Sequence, residues 1–184
     1  YPLSRAYNKN IKPYEFDLAK AASLLSECGW EDTDNDGVRD KIINGEKVKF
    51  EFSLLVWNTS PTWQSIGKIF KEDLYKIGVT MHVRPLDWSL FLKKMENKEY
   101  EAYTGYWTIG YEADPYQLWH SSQADIPKGS NRVNFKNKRA DEIIEEARRT
   151  FDPDKRATLF HEFHEIIHEE QPYTFCWAPI DKAV

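Results

Sequence analysis

The hydrophobic positions of this chain change their period along its length, and each change marks a predicted element. An irregular N-terminal segment, residues 1–16, precedes apolar residues at helical spacing over 18–28, for which Asp17 is the predicted N-cap. A polar loop over 30–45 follows. Apolar and polar residues then alternate and finally become fully apolar over 48–57, which predicts a strand that runs into the core.

The middle of the chain switches repeatedly between helical and strand periods. Apolar spacing predicts a helix over 63–77, a strand over 79–86, a helix that begins at Asp87 and an aromatic strand over 100–109. Strands that alternate with helices through short connections imply right-handed crossovers and a layered architecture. The sequence therefore predicts an α/β fold, with a mixed sheet and helices packed on it.

The last third of the chain begins with an irregular stretch over 110–136, which is longer than a compact domain usually contains without a functional reason. We therefore predict a long functional loop there. Charged amphipathic helices are predicted over 138–150 and 153–170, and an aromatic strand over 173–177. No repeat divides the sequence, so residues 1–184 are predicted to form a single α/β domain.

Ligands of α/β sheets usually bind beyond the carboxyl ends of the strands, and aromatic residues of this chain gather at those ends. The following loop adds a carboxylate pair, Glu112 and Asp114, without a nucleophile beside it, so a role in binding is favoured over acid–base chemistry. Since Pro115 follows it, Asp114 is most simply a turn or a helix cap, and a ligand-facing role is predicted for at least one of the two carboxylates. The predicted ligand-binding residues are Trp57, Asn58, Trp88, Tyr106, Trp107, Tyr111, Glu112 and Asp114.

Aromatic residues make up 15% of the chain, with 7 Trp, 10 Tyr and 10 Phe. Part of this surplus lies on periodic faces and is predicted to be core, namely Phe50, Phe52, Phe70, Phe160 and Phe163. The remaining rings cluster at strand ends and in the long loop, where a core does not require them. The aromatic surplus therefore supports a ligand-binding role.

The charge balance and the cysteines exclude several classes of protein. The chain carries 25 basic and 30 acidic residues, interspersed, and a net charge of −5 does not favour a nucleic-acid partner. No run of about 20 apolar residues could span a bilayer, and the first residues do not resemble a signal peptide. Two interpretations follow: the mature protein is cytoplasmic, or its targeting segment has been removed. Cys28 and Cys176 lack ligand spacing, so two buried free thiols are favoured over a disulfide.

A zinc-hydrolase pattern occurs in the last predicted helix. His164, Glu165 and His168 match HExxH, in which two histidines one turn apart hold Zn²⁺ and the glutamate acts as general base. A third ligand is expected further downstream, where Asp181 is the candidate that remains. His164 also borders the apolar stripe of its helix, so a partly buried structural histidine is the favoured interpretation.

An acidic run resembles the start of an EF-hand loop. Asp32, Asp34 and Asp36 alternate before a glycine, and Asp40 occupies the ninth position. The twelfth position, which should be a bidentate glutamate, is Ile43, and a strand pattern follows it. A tight turn rich in aspartate is favoured, with weak Ca²⁺ binding left open.

Taken in order, these segments resemble the family 5 extracytoplasmic solute-binding proteins over nearly the whole chain. The order and spacing of the motifs carry the resemblance, since no single motif is specific. The matching residues are Asp17-Leu18-Ala19-Lys20-Ala21, Leu24-Leu25, Gly29-Trp30, Asn58-Thr59-Ser60, Ile77-Gly78-Val79, Asp87-Trp88, Trp107, Asp114-Pro115, Asn134-Phe135, Asp141, Arg156, Glu170-Gln171-Pro172 and Phe175.

The resemblance implies a fold, a function and partners. It implies one lobe, the C-terminal one, of a two-lobed periplasmic-binding-protein-like fold, whose N-terminal lobe is not in this chain. It further implies a substrate-binding subunit of an ABC importer that holds a peptide, or an oligosaccharide or nickel, and delivers it to a membrane permease. No catalysis and no cofactor are expected, and the location implied is outside the cytoplasmic membrane.

This chain departs from the family pattern at two charged positions. The aspartate that pairs with a peptide's α-amino group in such proteins is Gly110 here, and an arginine that meets a peptide carboxylate in some of them is Thr104. A peptide held through its backbone, or a sugar stacked on rings, fits this pattern. Two alternatives of other classes remain: the HExxH zinc hydrolase and a free-standing protein-interaction domain.

Overall fold

The computed structural model of the chain describes residues 4–108 and 114–177. The chain divides into two compact units, which we call the sheet unit, residues 14–106, and the helical unit, residues 1–13 with 107–184. The single domain expected from the sequence for residues 1–184 stays a prediction.

The sheet unit contains three helices and five strands among its described residues. Their order is α1 (Leu18–Glu27), β1 (Asp40–Ile43), β2 (Glu46–Lys49), β3 (Glu51–Trp57), α2 (Pro61–Tyr75), β4 (Thr80–Leu86), α3 (Trp88–Glu96) and β5 (Ala102–Tyr103). The described part of the helical unit contains α4 (Tyr116–Trp119), a 3₁₀ turn (Ser121–Gln123), α5 (Lys138–Arg149) and α6 (Pro153–Glu170). Asp17 caps α1 as predicted, since its carboxylate accepts the Lys20 N–H at 2.9 Å.

A parallel sheet of order β4-β3-β5 is the centre of the sheet unit. The middle strand, β3, contains the buried run Leu54, Leu55 and Val56, because a strand that is paired on both sides and covered on both faces buries its central residues. Leu54 and Val56 pack with residues of α2, whereas Leu55 packs with Phe91 and other residues of α3. Since alternate side chains of a strand point to opposite faces, α2 and α3 cover opposite faces of the sheet. The predicted α/β class is confirmed.

The helical unit has its own core between α4, α5 and α6. Trp119, Ile144 and Ile167 are buried there together with Phe135. The fully buried Asn131 closes the loop that precedes α5, because its amide accepts the Phe135 N–H at 2.9 Å and donates to the Phe135 carbonyl at 2.8 Å. This side chain takes the place of regular backbone pairing in an irregular segment.

The predicted strand over 48–57 is in fact two strands. β2 pairs antiparallel with β1, and β3 starts a separate parallel sheet, with Phe50 between them. The loop predicted over 30–45 therefore contains β1. Because the segment is polar, its pattern did not indicate the β-hairpin that β1 forms with β2. The hairpin turns at Asn44 and Gly45, whose φ angles are 53° and 86°.

Two aromatic segments predicted as strands are mostly irregular. The segment over 100–109 contributes only Ala102–Tyr103 to the sheet within its described part, and residues 173–177 form no strand. Their rings pack instead, with Tyr100 against Tyr103 at 4.6 Å and Tyr173 against Trp119 at 4.7 Å. The aromatic pattern reflected ring packing rather than strand pairing.

The long loop predicted over 110–136 is not wholly irregular, since its described part contains α4 and the 3₁₀ turn.

Several burial expectations were wrong. Cys28 and Cys176 are free thiols, as favoured, but both are exposed rather than buried. Cys28 follows the last turn of α1, where its N–H bonds to the Leu24 carbonyl, so it lies at the end of the helix and not on its packed face. Phe70, predicted as core, is 37% exposed on α2. No helix of the described residues is long and apolar enough to cross a membrane.

Candidate functional site

Two tryptophans predicted to bind ligand come together at the carboxyl edge of the parallel sheet. Trp57 is the last residue of β3 and is paired in register with Leu86, the last residue of β4, and Trp88 begins α3 two residues later. The two indole rings lie 5.1 Å apart at an angle of 54°. Trp57 is 36% exposed and Trp88 is 50% exposed. The pair therefore offers an open aromatic corner to a ligand.

The corner is anchored to the core. Trp88 stacks on the buried ring of Phe91 at 5.9 Å, and Phe91 meets Tyr103 edge-on at 6.2 Å. Asp87 sets the start of α3, because its carboxylate accepts the Leu90 N–H at 3.1 Å. Trp88 is thus held at a defined position by a helix cap on one side and a ring stack on the other.

Asn58 and Tyr106 extend this edge within the sheet unit. The Asn58 backbone is occupied: its N–H donates to the Leu86 carbonyl at 2.9 Å, and its carbonyl accepts Gln64 Nε2 at 2.5 Å. Its exposed side-chain amide has no hydrogen-bond partner among the described residues. Tyr106 is 79% exposed. The edge therefore adds one amide and one phenol to the aromatic pair.

Thr104 supplies no charged contact at the position where some relatives place an arginine. The residue is buried, and its hydroxyl donates to the Leu55 carbonyl at 3.4 Å while its N–H donates to the same oxygen at 3.0 Å. The side chain is used to hold the chain on β3.

Trp107 belongs to the helical unit and is only half-buried. Its indole N–H donates to the Tyr173 hydroxyl at 3.3 Å, and the Arg132 guanidinium lies over its ring at 4.5 Å. Cation–π packing of this kind occupies part of the ring. Contacts thus occupy both the indole N–H and one face of the Trp107 ring. Less of this ring is available to a ligand than of Trp57 or Trp88.

Asp114, the last predicted ligand residue within the described part, has two structural contacts. Its Oδ1 accepts the Tyr116 N–H at 3.0 Å, as expected of a turn or cap before α4. Its Oδ2 lies 3.1 Å from Arg148 Nε near the end of α5. Sequence reasoning missed Arg148, because 34 positions of chain separate it from Asp114 and no local spacing connects them.

Gly110, Tyr111 and Glu112 lie outside the described residues, and the roles expected of Tyr111 and Glu112 stay predictions.

His164 and Glu165 of the HExxH pattern both contact the N-terminal segment. His164 Nδ1 accepts the Asn8 backbone N–H at 3.3 Å, and Asn8 Nδ2 donates to Glu165 Oε1 at 2.9 Å. His164 is half-buried and packs against the Tyr7 ring at 5.3 Å. Two members of the pattern thus fasten the N-terminal segment to α6, as expected of a structural histidine. In the described ranges, no third metal-ligating side chain lies close to both histidines.

The charge of the acidic loop is partly compensated by lysines of the neighbouring strand. Carboxylate oxygens of Asp32, Asp34 and Asp40 lie within 4.8 Å of one another, and Lys47 Nζ contacts Asp34 at 2.7 Å and Asp40 at 3.1 Å. Burial raises the pKa of Asp40, but hydrogen bonds from Thr33 and Lys47 outweigh that effect and hold it below the ordinary value. The loop is a tight turn closed by ion pairs, and the weak Ca²⁺ binding left open stays a prediction.

The amino-acid sequence is similar to that of known proteins. A model of the family described as "Bacterial extracellular solute-binding proteins, family 5 Middle" matches residues 1–128. The oligopeptide-binding protein AppA of Bacillus subtilis strain 168 is 33% identical over 182 residues, which is 97% of this chain and 32% of AppA. The chain thus spans about a third of the length of this relative.

Solved structures show the same architecture. AppA in complex with a nonapeptide matches with a TM-score of 0.84 over 94% of this chain and 34% of that chain. The oligopeptide-binding protein of Thermus thermophilus, complexed with a pentapeptide, is 28% identical and matches with a TM-score of 0.82 over 94% of this chain and 31% of that chain.

Proposed function

Because the chain belongs to the bacterial extracellular solute-binding proteins of family 5, we propose that it forms one lobe of a receptor that binds an oligopeptide for an ABC importer. The observation that carries this proposal is the exposed Trp57–Trp88 corner at the carboxyl edge of a parallel sheet, where α/β proteins bind their ligands. The complexes of the two relatives with peptides support the choice of a peptide over a sugar or nickel.

The residues favour recognition of apolar peptide side chains over recognition of charged ends. Trp57 and Trp88 offer ring faces and edges to a side chain, and the Asn58 amide can pair with the peptide backbone. Thr104 has no charge, and its hydroxyl is turned to β3. Tyr106 is the further contact that we propose, and the binding role expected of Trp107 stays a prediction.

The receptor acts by binding alone. Two lobes close about the peptide, and binding energy selects the closed state that the membrane permease recognises. We propose no chemical step on the ligand, and the contacts of His164 and Glu165 with Asn8 support a structural role for these two residues. The place of action is outside the cytoplasmic membrane, as for other members of the family.

The experiment follows the indole N–H resonances of the 184-residue chain during titration with a nonapeptide that contains aromatic side chains. We expect the Trp57 and Trp88 signals to move together, and the buried Trp119 signal to stay fixed. Trp88→Ala should weaken binding about three- to tenfold, the loss expected for one aromatic contact. Trp88→Phe should retain most of the affinity, because a ring still stacks on Phe91.

Tyr75→Ala is the matched control, since Tyr75 is an exposed ring of the same unit at the end of α2. We expect this variant to bind the nonapeptide as the wild type does. Unmoved Trp57 and Trp88 signals at millimolar peptide, or equal losses in the Trp88→Ala and Tyr75→Ala variants, would overturn the proposal.

A further inference from the structure

A second surface, formed within the helical unit, has a polar character that the aromatic corner lacks. A pocket of about 390 Å³ is lined by Asp114, Tyr116, Gln117, Gln123 and Arg148. The volume is at the small end of the range for ligand sites. Among the described residues, one acidic side chain, one basic side chain and two carboxamides face the same space, so this part of the lining carries no net charge but is strongly polar.

Arg148 is held in place from two directions. Its Nε lies 3.1 Å from Asp114 Oδ2, and its guanidinium carbon lies 4.4 Å from the centre of the Tyr116 ring. The His120 ring stacks on Tyr116 at 4.4 Å and an angle of 24°. The imidazole and the guanidinium therefore both pack against the Tyr116 ring.

His120 is itself fixed, which makes the whole stack rigid. It is buried, its Nδ1 accepts the Ser122 N–H at 3.1 Å, and its Nε2 lies 3.4 Å from Glu145 Oε1. The Tyr116 hydroxyl and the Ser122 hydroxyl are 3.1 Å apart. Arginine side chains normally lose much rotamer freedom on binding a ligand, but here the ordering is already present in the free protein.

Donor capacity remains for a ligand. The terminal Nη groups of Arg148 and the Gln117 amide show no hydrogen bond within the described ranges, and both Arg148 and Asp114 are about half exposed. A guanidinium fork matches a carboxylate in two parallel hydrogen bonds. The adjacent Asp114 carboxylate repels a simple anion and attracts an ammonium group. The two charges together therefore complement a ligand that carries both.

We propose that this pocket binds the zwitterionic backbone of a free α-amino acid. The ligand carboxylate pairs with the Nη groups of Arg148, its ammonium group pairs with Asp114, and the Gln117 and Gln123 amides line the space around its backbone. This goes beyond the proposed peptide site, because neither Trp57 nor Trp88 takes part and the ligand is a single amino acid.

The test is an NMR titration of the 184-residue chain with glycine, acetate and methylammonium at constant ionic strength. We expect glycine to move the Arg148 Nε–H and Gln117 side-chain resonances in a saturable way, and acetate and methylammonium to bind at least tenfold more weakly. The Trp57 and Trp88 signals should not respond to glycine. Failure of this proposal is thereby distinguishable from failure of the peptide site.

Variants separate the pocket from general charge effects. Arg148→Gln and Asp114→Asn should each weaken glycine binding at least tenfold, and the asparagine can still accept the Tyr116 N–H. Arg149→Gln is the matched control, because it removes the same charge from the next residue of α5 outside the pocket lining. We expect Arg149→Gln to bind glycine as the wild type does.

The result that would overturn the proposal is glycine binding no tighter than acetate binding, or equal affinities in the Arg148→Gln and Arg149→Gln variants. Should Arg148→Gln fail to fold, as judged from its amide spectrum, Arg148→Lys keeps the charge and removes the fork. Wild-type glycine affinity in Arg148→Lys would then contradict the paired recognition of the carboxylate.

Discussion

His164 attaches the N-terminal segment to α6 through a ring nitrogen that must be unprotonated. Its Nδ1 accepts the Asn8 N–H, and Tyr7 packs on the ring. Burial of the ring, together with the neighbouring His161 and His168, lowers the pKa of His164 below its ordinary value, although Glu165 acts in the opposite direction. The contact therefore depends on pH.

The sign of this dependence follows from linkage. Because the folded-state pKa of His164 is lowered, its contribution to stability is fully present above the unfolded pKa of about 6.5 and is lost as the pH falls toward the lowered value. We expect His164→Gln, which does not titrate, to lose less stability between pH 7 and pH 5 than the wild type. Urea unfolding midpoints at the two pH values measure this difference.

His168→Gln is the control, since it removes a histidine one turn further along the same helix. It should keep most of the wild-type pH dependence, because burial, the main cause of the lowered His164 pKa, is unchanged. Equal losses of stability in the wild type and in His164→Gln would show that the Asn8 contact does not sense pH.

At the scale of elements, the close approach of α2 to the sheet depends on Gly67. A Cβ atom at this position would lie 3.2 Å from both Cγ atoms of Val83 on β4 and 3.6 Å from Leu54 Cδ2 on β3. The two contacts with Val83 are tighter than Cβ atoms normally make, so the glycine lets the helix backbone approach the strands.

We therefore expect Gly67→Ala to destabilise the protein by roughly 1 kcal/mol, because overpacking outweighs the gain in helix propensity. Val83→Ala should remove the clash, so that Gly67→Ala becomes neutral or stabilising in that background, a coupling that a double-mutant cycle in urea measures. Ser65→Ala, at an exposed position of α2, is the control for helix propensity alone. Additive effects of the Gly67 and Val83 substitutions would refute this account.

At the scale of the whole molecule, the chain corresponds to about a third of its relative AppA. A peptide that rests on one lobe buries only part of its surface, whereas a ligand in a closed site is buried on most sides. The Trp57–Trp88 corner alone should therefore bind weakly.

We expect the 184-residue chain to bind a nonapeptide at least tenfold more weakly than a chimera in which it replaces the matching third of AppA. Calorimetry on both proteins measures the difference, and a chimera that carries Trp57→Ala and Trp88→Ala tests whether this chain contributes to the site. Micromolar binding by the 184-residue chain alone would contradict the prediction.

Sequence patterns predicted the elements that have a clear period and a cap. Helices α2, α5 and α6 and strand β4 lie within two residues of their predicted bounds, because burial of one face imposes a local spacing. The Trp57–Trp88 corner could also be anticipated, since both residues stand at strand ends and strand ends meet at one edge of a parallel sheet. Aromatic runs were less informative, because ring packing and strand pairing select the same residues.

By itself, the sequence determined the α/β class, the helix caps at Asp17 and Asp87 and the aromatic edge. Only the tertiary structure brought Arg148 to Asp114, joined His164 to Asn8 and placed Lys47 among the aspartates. The physical reason is that local periodicity reports which face of an element is buried and carries no information on its distant partner. Long-range charge and hydrogen-bond partners depend on how the elements pack, and in this protein those partners decide what each polar side chain does.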